Sequence, residues 1–253
     1  MKIAVCVKSV LDTASEIKFE NNGICDSQLQ FVLNPYDEFA VEEAVSVGQG
    51  SGGEVVAISL GDANAEASIR TAIAMGADRG IWLCTDNMPM ESRMTALALK
   101  KAFEEDGVPD LIFTGKGSVD TENMQTQYRL AAELNMPVVN EVTQFSLIDQ
   151  TVVVEREFEM GETHVIEMPL PCVIGTSKGL NTPKYPTLRS IMKAKKKKID
   201  KINLKSLLKA SFVEKMELET LEATPGRKEA VFFSGTLEEQ IFQTTEILKN
   251  SIM

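Results

Sequence analysis

Residues 54–84 read EVVAISLGDANAEASIRTAIAMGADRGIWLC and contain two short apolar runs on either side of an amphipathic stretch. The apolar runs, Glu54–Leu60 and Gly80–Cys84, predict two buried strands. Between them, Ala63–Met75 has apolar residues at helical spacing, and Gly76 follows as a residue suited to end a helix. A strand, a helix and a second strand in this order are typical of a parallel sheet covered by helices.

The same alternation continues on both sides of this unit. Asn34 and Pro35 precede an apolar stripe, which predicts a helix with a capping side chain and a proline at its first position. Two further strands are predicted at Ile3–Val7 and Asp110–Thr114. Two further helices are predicted at Tyr36–Val47 and Glu91–Glu105. We therefore expect an α/β fold with a doubly wound, mostly parallel sheet.

The pattern changes after residue 150. Thr151–Phe158 and Thr163–Glu167 predict a β-hairpin, joined by Glu159–Glu162. The prolines that follow predict an ordered loop between Val173 and Leu188; they are Pro169, Pro171, Pro183 and Pro186. We expect one α/β domain over residues 1–200 and a C-terminal arm over residues 201–253, with a helix at about Leu237–Asn250 that packs on its own domain or on a partner chain.

The composition excludes several classes of protein. A net charge of -11 and a pI of about 4.8 argue against a general nucleic-acid binder, which needs a broad basic face. The lysine-rich stretch Met192–Lys198, MKAKKKK, is therefore interpreted as the end of a helix, with Leu188, Ile191 and Met192 available for packing. Nothing resembles a secretory signal or a membrane span, so we expect a cytoplasmic protein. Four widely spaced cysteines predict neither a zinc site nor disulfides.

Catalytic motifs are absent from the sequence. The single histidine, His164, lies in the predicted hairpin and is interpreted as a structural or surface residue. There is no GxGxxG or Walker motif and no calcium-loop pattern, so we expect no catalytic residues and no metal site. In open parallel sheets, ligands bind beyond the carboxyl ends of the strands. Three loops qualify here: Cys6–Lys8, Leu60–Asp62 and Gly115–Asp120.

The loop that begins at Gly115 carries the strongest indication of a ligand. Its two glycines, Gly115 and Gly117, permit close approach of the backbone, and Thr121–Thr126 can open a helix whose amides bind phosphate. An ordinary turn between a strand and a helix explains the same pattern equally well.

Several longer motifs occur in a characteristic order: LNPYDEFAVEEAV, IRTAIAMGADRGIWL, TGKGSVD…QT, VEREFEMG and LNTPKYPTLRSIMKAKKKKI. In order and spacing, residues 1–200 resemble the β subunits of electron-transfer flavoproteins. The resemblance implies a nucleotide-binding, adenine-nucleotide-hydrolase-like fold with an added β-hairpin and a C-terminal arm packed on an α subunit. It also implies an electron carrier subunit rather than a stand-alone enzyme.

The resemblance further implies the cofactors and partners. The α subunit would hold most of the FAD, and this chain would bury a structural AMP. Electrons would pass from acyl-CoA dehydrogenases of fatty acid β-oxidation to a membrane electron-transfer flavoprotein-quinone oxidoreductase. Two alternatives stay open: a bifurcating, NADH-oxidising electron-transfer flavoprotein with a second FAD in the AMP pocket, and a non-redox adenylate-binding module.

The resemblance also assigns site residues. Cys6 and Leu60 would contact adenine through their backbone, Asp120 the ribose, and Gln125 and Thr126 the phosphate. The complete AMP shell implied by the resemblance is Cys6, Asn34, Pro35, Tyr36, Asp37, Leu60, Gly115, Lys116, Gly117, Ser118, Val119, Asp120, Thr121, Glu122, Asn123, Met124, Gln125 and Thr126. On the loop Gly175–Pro186, the matching exposed leucine that would anchor the dehydrogenase is Leu180, although a loop leucine is also commonly packed underneath.

Four departures from the family pattern bear on these assignments. Met124 and Gln127 stand where many AMP-binding relatives carry asparagine and glycine, which bears on the choice between AMP and FAD. Thr13 replaces an aromatic residue near the flavin, and Thr176–Gly179 replaces an acidic-arginine-leucine sequence before Leu180. The dehydrogenase that docks here would differ accordingly.

Overall fold

The computed structural model describes residues 1–15, 19–20, 23–24, 29–85, 90–208, 226 and 229–252. The chain divides into two compact units. The first contains residues 1–18 and 25–219, and the second contains residues 19–24 and 220–253.

The elements follow one another in a largely alternating order. The strands are β1 (Lys2–Cys6), β2 (Ser9–Leu11), β3 (Phe19–Glu20), β4 (Gly23–Ile24), β5 (Phe31–Leu33), β6 (Glu54–Gly61), β7 (Arg79–Cys84), β8 (Leu111–Gly115), β9 (Val138–Ile148), β10 (Thr151–Glu157), β11 (Thr163–Pro169), β12 (Cys172–Thr176) and β13 (Ile199–Asn203). The helices are α1 (Pro35–Ser51), α2 (Asn64–Met75), α3 (Ser92–Asp106), α4 (Thr126–Leu134), α5 (Leu188–Ala194), α6 (Leu204–Leu208) and α7 (Leu237–Ile252).

The first unit is built on a sheet of order β11-β10-β9-β12-β8-β1-β6-β7-β13. Across the sheet, neighbouring strands from β9 through β12, β8, β1, β6 and β7 to β13 pair in parallel. At the other side of β9, the hairpin β10–β11 extends the sheet by antiparallel pairing. From β1 the chain moves outward to β6 and β7 and then crosses to β8, on the other side of β1. The strand order therefore turns at β1, and the predicted doubly wound sheet is confirmed.

Helices cover both faces of the sheet. Alternate residues of β1 point to opposite faces: Ile3 and Val5 pack in the core beneath α1 and α2, whereas Ala4 belongs to the core beneath α3, α4 and α6. Phe103 of α3 is almost completely buried in the second core. Burial of such a side chain contributes about 1.5–3 kcal/mol relative to leaving it exposed.

The element bounds agree with the sequence predictions to within a few residues in the βαβ region and the hairpin. One prediction is wrong: the loop expected from Val173 begins only after Thr176, because residues 173–176 belong to the buried strand β12 between β8 and β9. The prolines at 169 and 171 precede this strand and do not interrupt it, so they remove no hydrogen bond from its interior.

The sheet also continues beyond the point at which the sequence placed a domain boundary. β13 crosses residue 200 and pairs in parallel with β7. The helix that follows, α6, buries Leu204, Leu207 and Leu208 against the second core. Strand β9 and strand β13 were not predicted from the sequence.

The lysine-rich stretch ends a short helix, as its sequence indicates. Arg70 of α2 donates through Nη1 to the carbonyl of Ala194 at 3.0 Å, and Lys197 Nζ donates to the carbonyl of Asp78 at 2.7 Å. These two bonds join the end of α5 to α2 and to the turn after it. Leu188, Ile191 and Met192, which the sequence indicated as available for packing, have side chains that are 78%, 38% and 54% exposed.

The second unit contains the pair β3–β4 and the helix α7. α7 begins at Leu237, as predicted, and presents large apolar side chains to solvent. They are Leu237, Ile241, Phe242, Ile247 and Leu248. Among the described helices of the chain, none has the length and apolarity that crossing a membrane requires.

Candidate nucleotide site at the carboxyl ends of the strands

A cavity of about 510 Å³ lies at the carboxyl ends of β1, β6, β7 and β8. This is the point at which the strand order turns, where ligands of open α/β sheets bind. The lining residues are Cys6, Val7, Lys8, Ser9, Phe31, Asn34, Asp37, Ile58, Leu60, Gly61, Asp62, Ala65, Thr85, Met90, Ser92, Thr95, Leu99, Thr114, Gly115, Gly117, Ser118, Thr121, Asn123, Thr126 and Gln127.

The lining combines an apolar part with a polar part. The apolar part includes Ile58, Leu60, Met90 and Leu99. Hydroxyl, amide and ammonium groups form the polar part. Thr114 is 7% exposed, and its hydroxyl makes no hydrogen bond within the described part of the chain. A buried hydroxyl of this kind is costly unless a ligand or water completes it, so Thr114 favours a bound polar ligand.

Asp37 ties together the ends of the two central strands. Its Oδ2 accepts from the backbone N–H of Lys8 at 2.7 Å, and its Oδ1 accepts from the backbone N–H of Gly115 at 3.1 Å. A Cβ at position 115 would overlap Asp37 Oδ1 and lie 2.8 Å from the backbone of Tyr36, so only glycine fits. Burial raises the pKa of Asp37 to about 7, against the opposing effect of its hydrogen bonds and of the Lys8 charge.

Asn34 holds the loop after β8, and this corrects the predicted role of its side chain. α1 begins at Pro35, as predicted, but the Asn34 side chain does not cap it. The amide Nδ2 donates to Gly117 O at 2.9 Å, and Oδ1 accepts from Val119 N at 3.2 Å. Because Asn34 is 0% exposed, its polar atoms satisfy this loop rather than the helix end.

Lys8 and Asp120 form an ion pair at the rim of the cavity. Lys8 Nζ lies 2.8 and 2.7 Å from the two carboxylate oxygens of Asp120 and 3.3 Å from Ser118 Oγ. Although burial opposes it, hydrogen bonding from Lys8 holds the pKa of Asp120 below its usual value. The Asp120 carboxylate is thus engaged by Lys8 and does not line the cavity, whereas the sequence analysis assigned it to ribose.

Gln127 fixes the segment that leads into α4. Its Nε2 donates to Lys116 O at 2.9 Å and to Met124 O at 3.1 Å, and the side chain is almost completely buried. Met124 itself has a positive φ of 50°, a conformation that costs free energy in a residue other than glycine. The bond from Gln127 to its carbonyl helps to maintain that conformation and so shapes the start of α4.

The structure brings only part of the predicted AMP shell to the cavity. The predicted residues that line it are Cys6, Asn34, Asp37, Leu60, Gly115, Gly117, Ser118, Thr121, Asn123 and Thr126. The predicted residues that lie outside the lining are Pro35, Tyr36, Lys116, Val119, Asp120, Glu122, Met124 and Gln125. Three of the second group bond residues that line the cavity: the carbonyls of Lys116 and Met124 accept from Gln127, and the amide of Val119 donates to Asn34.

The residues after β7 were missed by the sequence analysis, and Lys8 was left out of the predicted AMP shell although it lies in the candidate loop Cys6–Lys8 at the end of β1. Thr85, Ser92 and Thr95 reach the cavity from the end of β7 and the start of α3, a fourth strand end that was not considered.

Leu180 differs from the exposed anchor that the sequence predicted. It is partly buried and packs against the first core, and its N–H lies 3.4 Å from Ser177 O. Nearby apolar side chains are more exposed, with Tyr185 at 91%. The loop therefore presents Tyr185 more openly than Leu180.

Neither metal nor thiol chemistry is indicated in the described part of the chain. Cys6 and Cys172 are free thiols, and burial raises the pKa of Cys6 far above its usual value. Cys25 lies outside the described residues. His164 is exposed, with Nε2 3.8 Å from a carboxylate oxygen of Glu162, and no group of potential metal ligands occurs among the described residues.

Comparison with known proteins identifies the family of the chain. Residues 22–207 match the family model described as "Electron transfer flavoprotein domain". The electron transfer flavoprotein subunit β of Bacillus subtilis (strain 168) is 31% identical over 253 residues, which cover 99% of this chain and 98% of that protein. The subunit β of Syntrophomonas wolfei is 37% identical over 200 residues, 79% of this chain and 78% of that protein. The subunit β of Mus musculus is 34% identical over 253 residues, 98% of both chains. The chain belongs to the electron transfer flavoprotein family, among its β subunits.

Proposed function

We propose that this chain is the β subunit of an electron carrier and holds AMP in the cavity at the turn of the strand order. A partner α subunit holds most of the FAD, which supplies the redox chemistry. The observation that carries the proposal is the cavity, because it joins a partly apolar lining to a buried, unpartnered Thr114 hydroxyl near the end of β8 and to the start of α4 at Thr126.

The chemistry of the cavity suits a small nucleotide. Leu60 and its apolar neighbours can contact a purine, and the amides at the start of α4, beside Thr126, suit a phosphate. Lys8 is the only lysine or arginine side chain among the lining residues, and Asp120 already neutralises it. A single phosphate matches this charge better than the diphosphate of a second FAD does.

AMP binding can be followed on this chain by its single tryptophan, Trp82. Its Nε1 donates to the carbonyl of Gly61 at 3.1 Å, and Gly61 lines the cavity. We expect AMP to change the Trp82 fluorescence of the full chain and Thr114→Val to weaken AMP about three- to tenfold, the effect of one hydrogen bond. Thr151→Val, at an exposed position of β10, is the control. AMP that leaves the fluorescence unchanged and fails to bind in equilibrium dialysis would contradict the proposal.

The donors and acceptors belong to the same proposal. Electrons pass from an acyl-CoA dehydrogenase, as in fatty acid β-oxidation, through the α-bound FAD to a membrane electron-transfer flavoprotein-quinone oxidoreductase. Leu180 and its loop would dock the dehydrogenase. Because Leu180 is partly packed on the core, Leu180→Ala tests docking only if the unfolding free energy is measured alongside the transfer rate. A slower transfer with unchanged stability and flavin content supports docking, whereas an unchanged rate contradicts it.

The C-terminal arm would supply the contact with the α subunit. The apolar side chains of α7 face solvent, and in a heterodimer they would be buried. A cytoplasmic location stays a prediction that subcellular fractionation tests. The two other functions considered from the sequence, electron bifurcation and adenylate sensing, differ from the carrier in their cofactor count.

A further inference from the structure

Helix α1 contacts both the cavity and the loop 177–187. Its first turn and the residue before it hold the cavity: Asn34 bonds Gly117 and Val119, and Asp37 bonds Lys8 and Gly115. Each of these bonds ends on a segment that lines or shapes the cavity. The start of α1 is therefore fixed by the same backbone that would contact a nucleotide.

The middle of α1 holds the loop 177–187. The Asn181 side chain donates to the carbonyl of Phe39 at 3.0 Å and to Glu43 Oε2 at 2.9 Å. Glu42, the residue before Glu43, accepts through Oε2 from the backbone N–H of Lys184 at 3.1 Å. Lys184 Nζ also lies 2.9 Å from Glu42 Oε1, but its side chain is so exposed that this ion pair contributes little.

The carboxylates of Glu42 and Glu43 are shielded from solvent, so their hydrogen bonds to the loop contribute more to its stability than exposed bonds would. Glu42 is 9% exposed, and Glu43 is half-buried, so that burial raises the pKa of Glu43. Removal of Glu42 would leave the partly desolvated N–H of Lys184 without this acceptor, and removal of Glu43 would leave the Asn181 amide with the Phe39 carbonyl alone. Such a loss costs more than an exposed hydrogen bond contributes.

The base of the loop is tied to the cavity as well. Thr176, completely buried at the end of β12, donates through Oγ1 to the carbonyl of Thr114 at 3.1 Å. Thr114 is the residue whose own hydroxyl is unpartnered in the cavity. A ligand bound to Thr114 thus contacts β8, the strand to which Thr176 at the base of the loop is hydrogen-bonded.

We propose that Glu42 and Glu43 are positioning residues through which nucleotide in the cavity orders the loop 177–187. The proposal rests on AMP as the ligand of the cavity and adds a consequence of its binding. AMP restrains the backbone around Lys8 and Gly115, this restrains the start of α1, and the carboxylates one to two turns along hold the loop in one conformation. An empty cavity leaves α1 less restrained and the loop less protected.

Hydrogen exchange of the complex with the α subunit tests the proposal. The complex is stripped of nucleotide and measured with and without saturating AMP, and the probe is the amide of Lys184, which donates to Glu42. We expect AMP to slow its exchange about fivefold or more, a typical size for coupling between two sites. In the double variant Glu42→Ala, Glu43→Ala, the Lys184 amide exchanges fast and independently of AMP, while the affinity for AMP stays within about twofold of wild type.

Glu38→Ala is the matched control, because Glu38 lies on the same helix and makes neither contact with the loop. It should retain the response to AMP. A double variant that still responds to AMP, or a wild-type loop whose exchange AMP leaves unchanged although AMP binds, would overturn the positioning role alone. Failure of AMP to bind the wild-type complex would overturn the role together with the proposed function, so the two failures are distinguishable.

Discussion

The cavity and the helix α7 differ in how far contacts within the chain bury the apolar side chains and provide hydrogen-bond partners for the polar ones. At the cavity, Asp37 and Asn34 are buried and bonded to neighbouring loops, and the apolar lining is continuous with the cores. On α7, side chains such as Phe242, 67% exposed, face solvent. In the first region the chain satisfies most of its own buried groups, whereas the second presents exposed apolar side chains of the kind that interaction surfaces contain. Substitutions in the two regions should therefore affect different properties.

The largest effect is expected from Asp37→Ala. The substitution leaves the buried N–H groups of Lys8 and Gly115 without an acceptor, at about 1–3 kcal/mol each. We expect the unfolding free energy of the full chain to fall by about 2–5 kcal/mol in urea titrations. Glu38→Ala, one position further along α1, should change it by less than about 1 kcal/mol. Equal losses in the two variants would show that Asp37 has no special role.

On α7, Phe242→Asp should act on assembly and not on the fold of the chain. Because the side chain is exposed, the unfolding free energy of the isolated chain should change by less than about 0.5 kcal/mol. Loss of a buried aromatic anchor weakens an interface by about 2 kcal/mol or more, which is roughly thirtyfold in Kd. Titration of the α subunit, followed by calorimetry, measures this change. Gln243→Asp introduces the same charge on the polar side of the same helix, and equal weakening there would reject the apolar face as the interface.

Gln127→Ala should have a smaller effect on stability but a local one on the cavity. It removes the donor to the carbonyls of Lys116 and Met124, and we expect a loss of about 1 kcal/mol. Weaker AMP binding should accompany it, since Met124 is then less firmly held at φ 50°. Gln144→Ala on β9, outside the cavity lining, is the comparison in fluorescence titration of Trp82 with AMP. Unchanged AMP affinity in Gln127→Ala would show that the segment before α4 does not contribute to AMP binding.

The pH dependence of the unfolding free energy, compared between wild type and Asp37→Asn, reports on Asp37 at the cavity and not on the exposed helix α7. The folded pKa of Asp37, about 7, lies above its unfolded value, so the folded chain binds this proton more tightly. The corresponding stabilisation is complete below about pH 4 and is lost as the pH rises toward 7. The unfolding free energy of wild type relative to Asp37→Asn should accordingly decrease across this window. A relative stability that increases with pH would contradict burial as the dominant influence on Asp37.

Much of the fold could be predicted because local periodicity and burial agree in the central region. Residues 54–84 form β6, α2 and β7 within a residue or two of the predicted bounds. β12 was mistaken for a loop because five residues are too short to show a period and prolines flank them. The partial burial of Leu180 also depends on α1 and the core beneath it, which no local pattern records.

The sequence pointed to the site through the ends of the strands. Cys6, Leu60 and Gly115 lie at the carboxyl ends of β1, β6 and β8, and all line the cavity. Asn34 was found too, but its side chain turns toward Gly117 and not toward the helix it precedes. That direction is set by a contact between residues 83 positions apart, so it required the tertiary structure.

The cofactor count of the complex with the α subunit tests the central claim most directly. The complex is purified without added nucleotide, denatured, and its released FAD and AMP are quantified by chromatography against the protein concentration. The carrier function predicts one FAD and one AMP per heterodimer. Two FAD with reduction by NADH would establish the bifurcating alternative and contradict the account, as would AMP bound to a chain that co-purifies with no flavin-bearing partner.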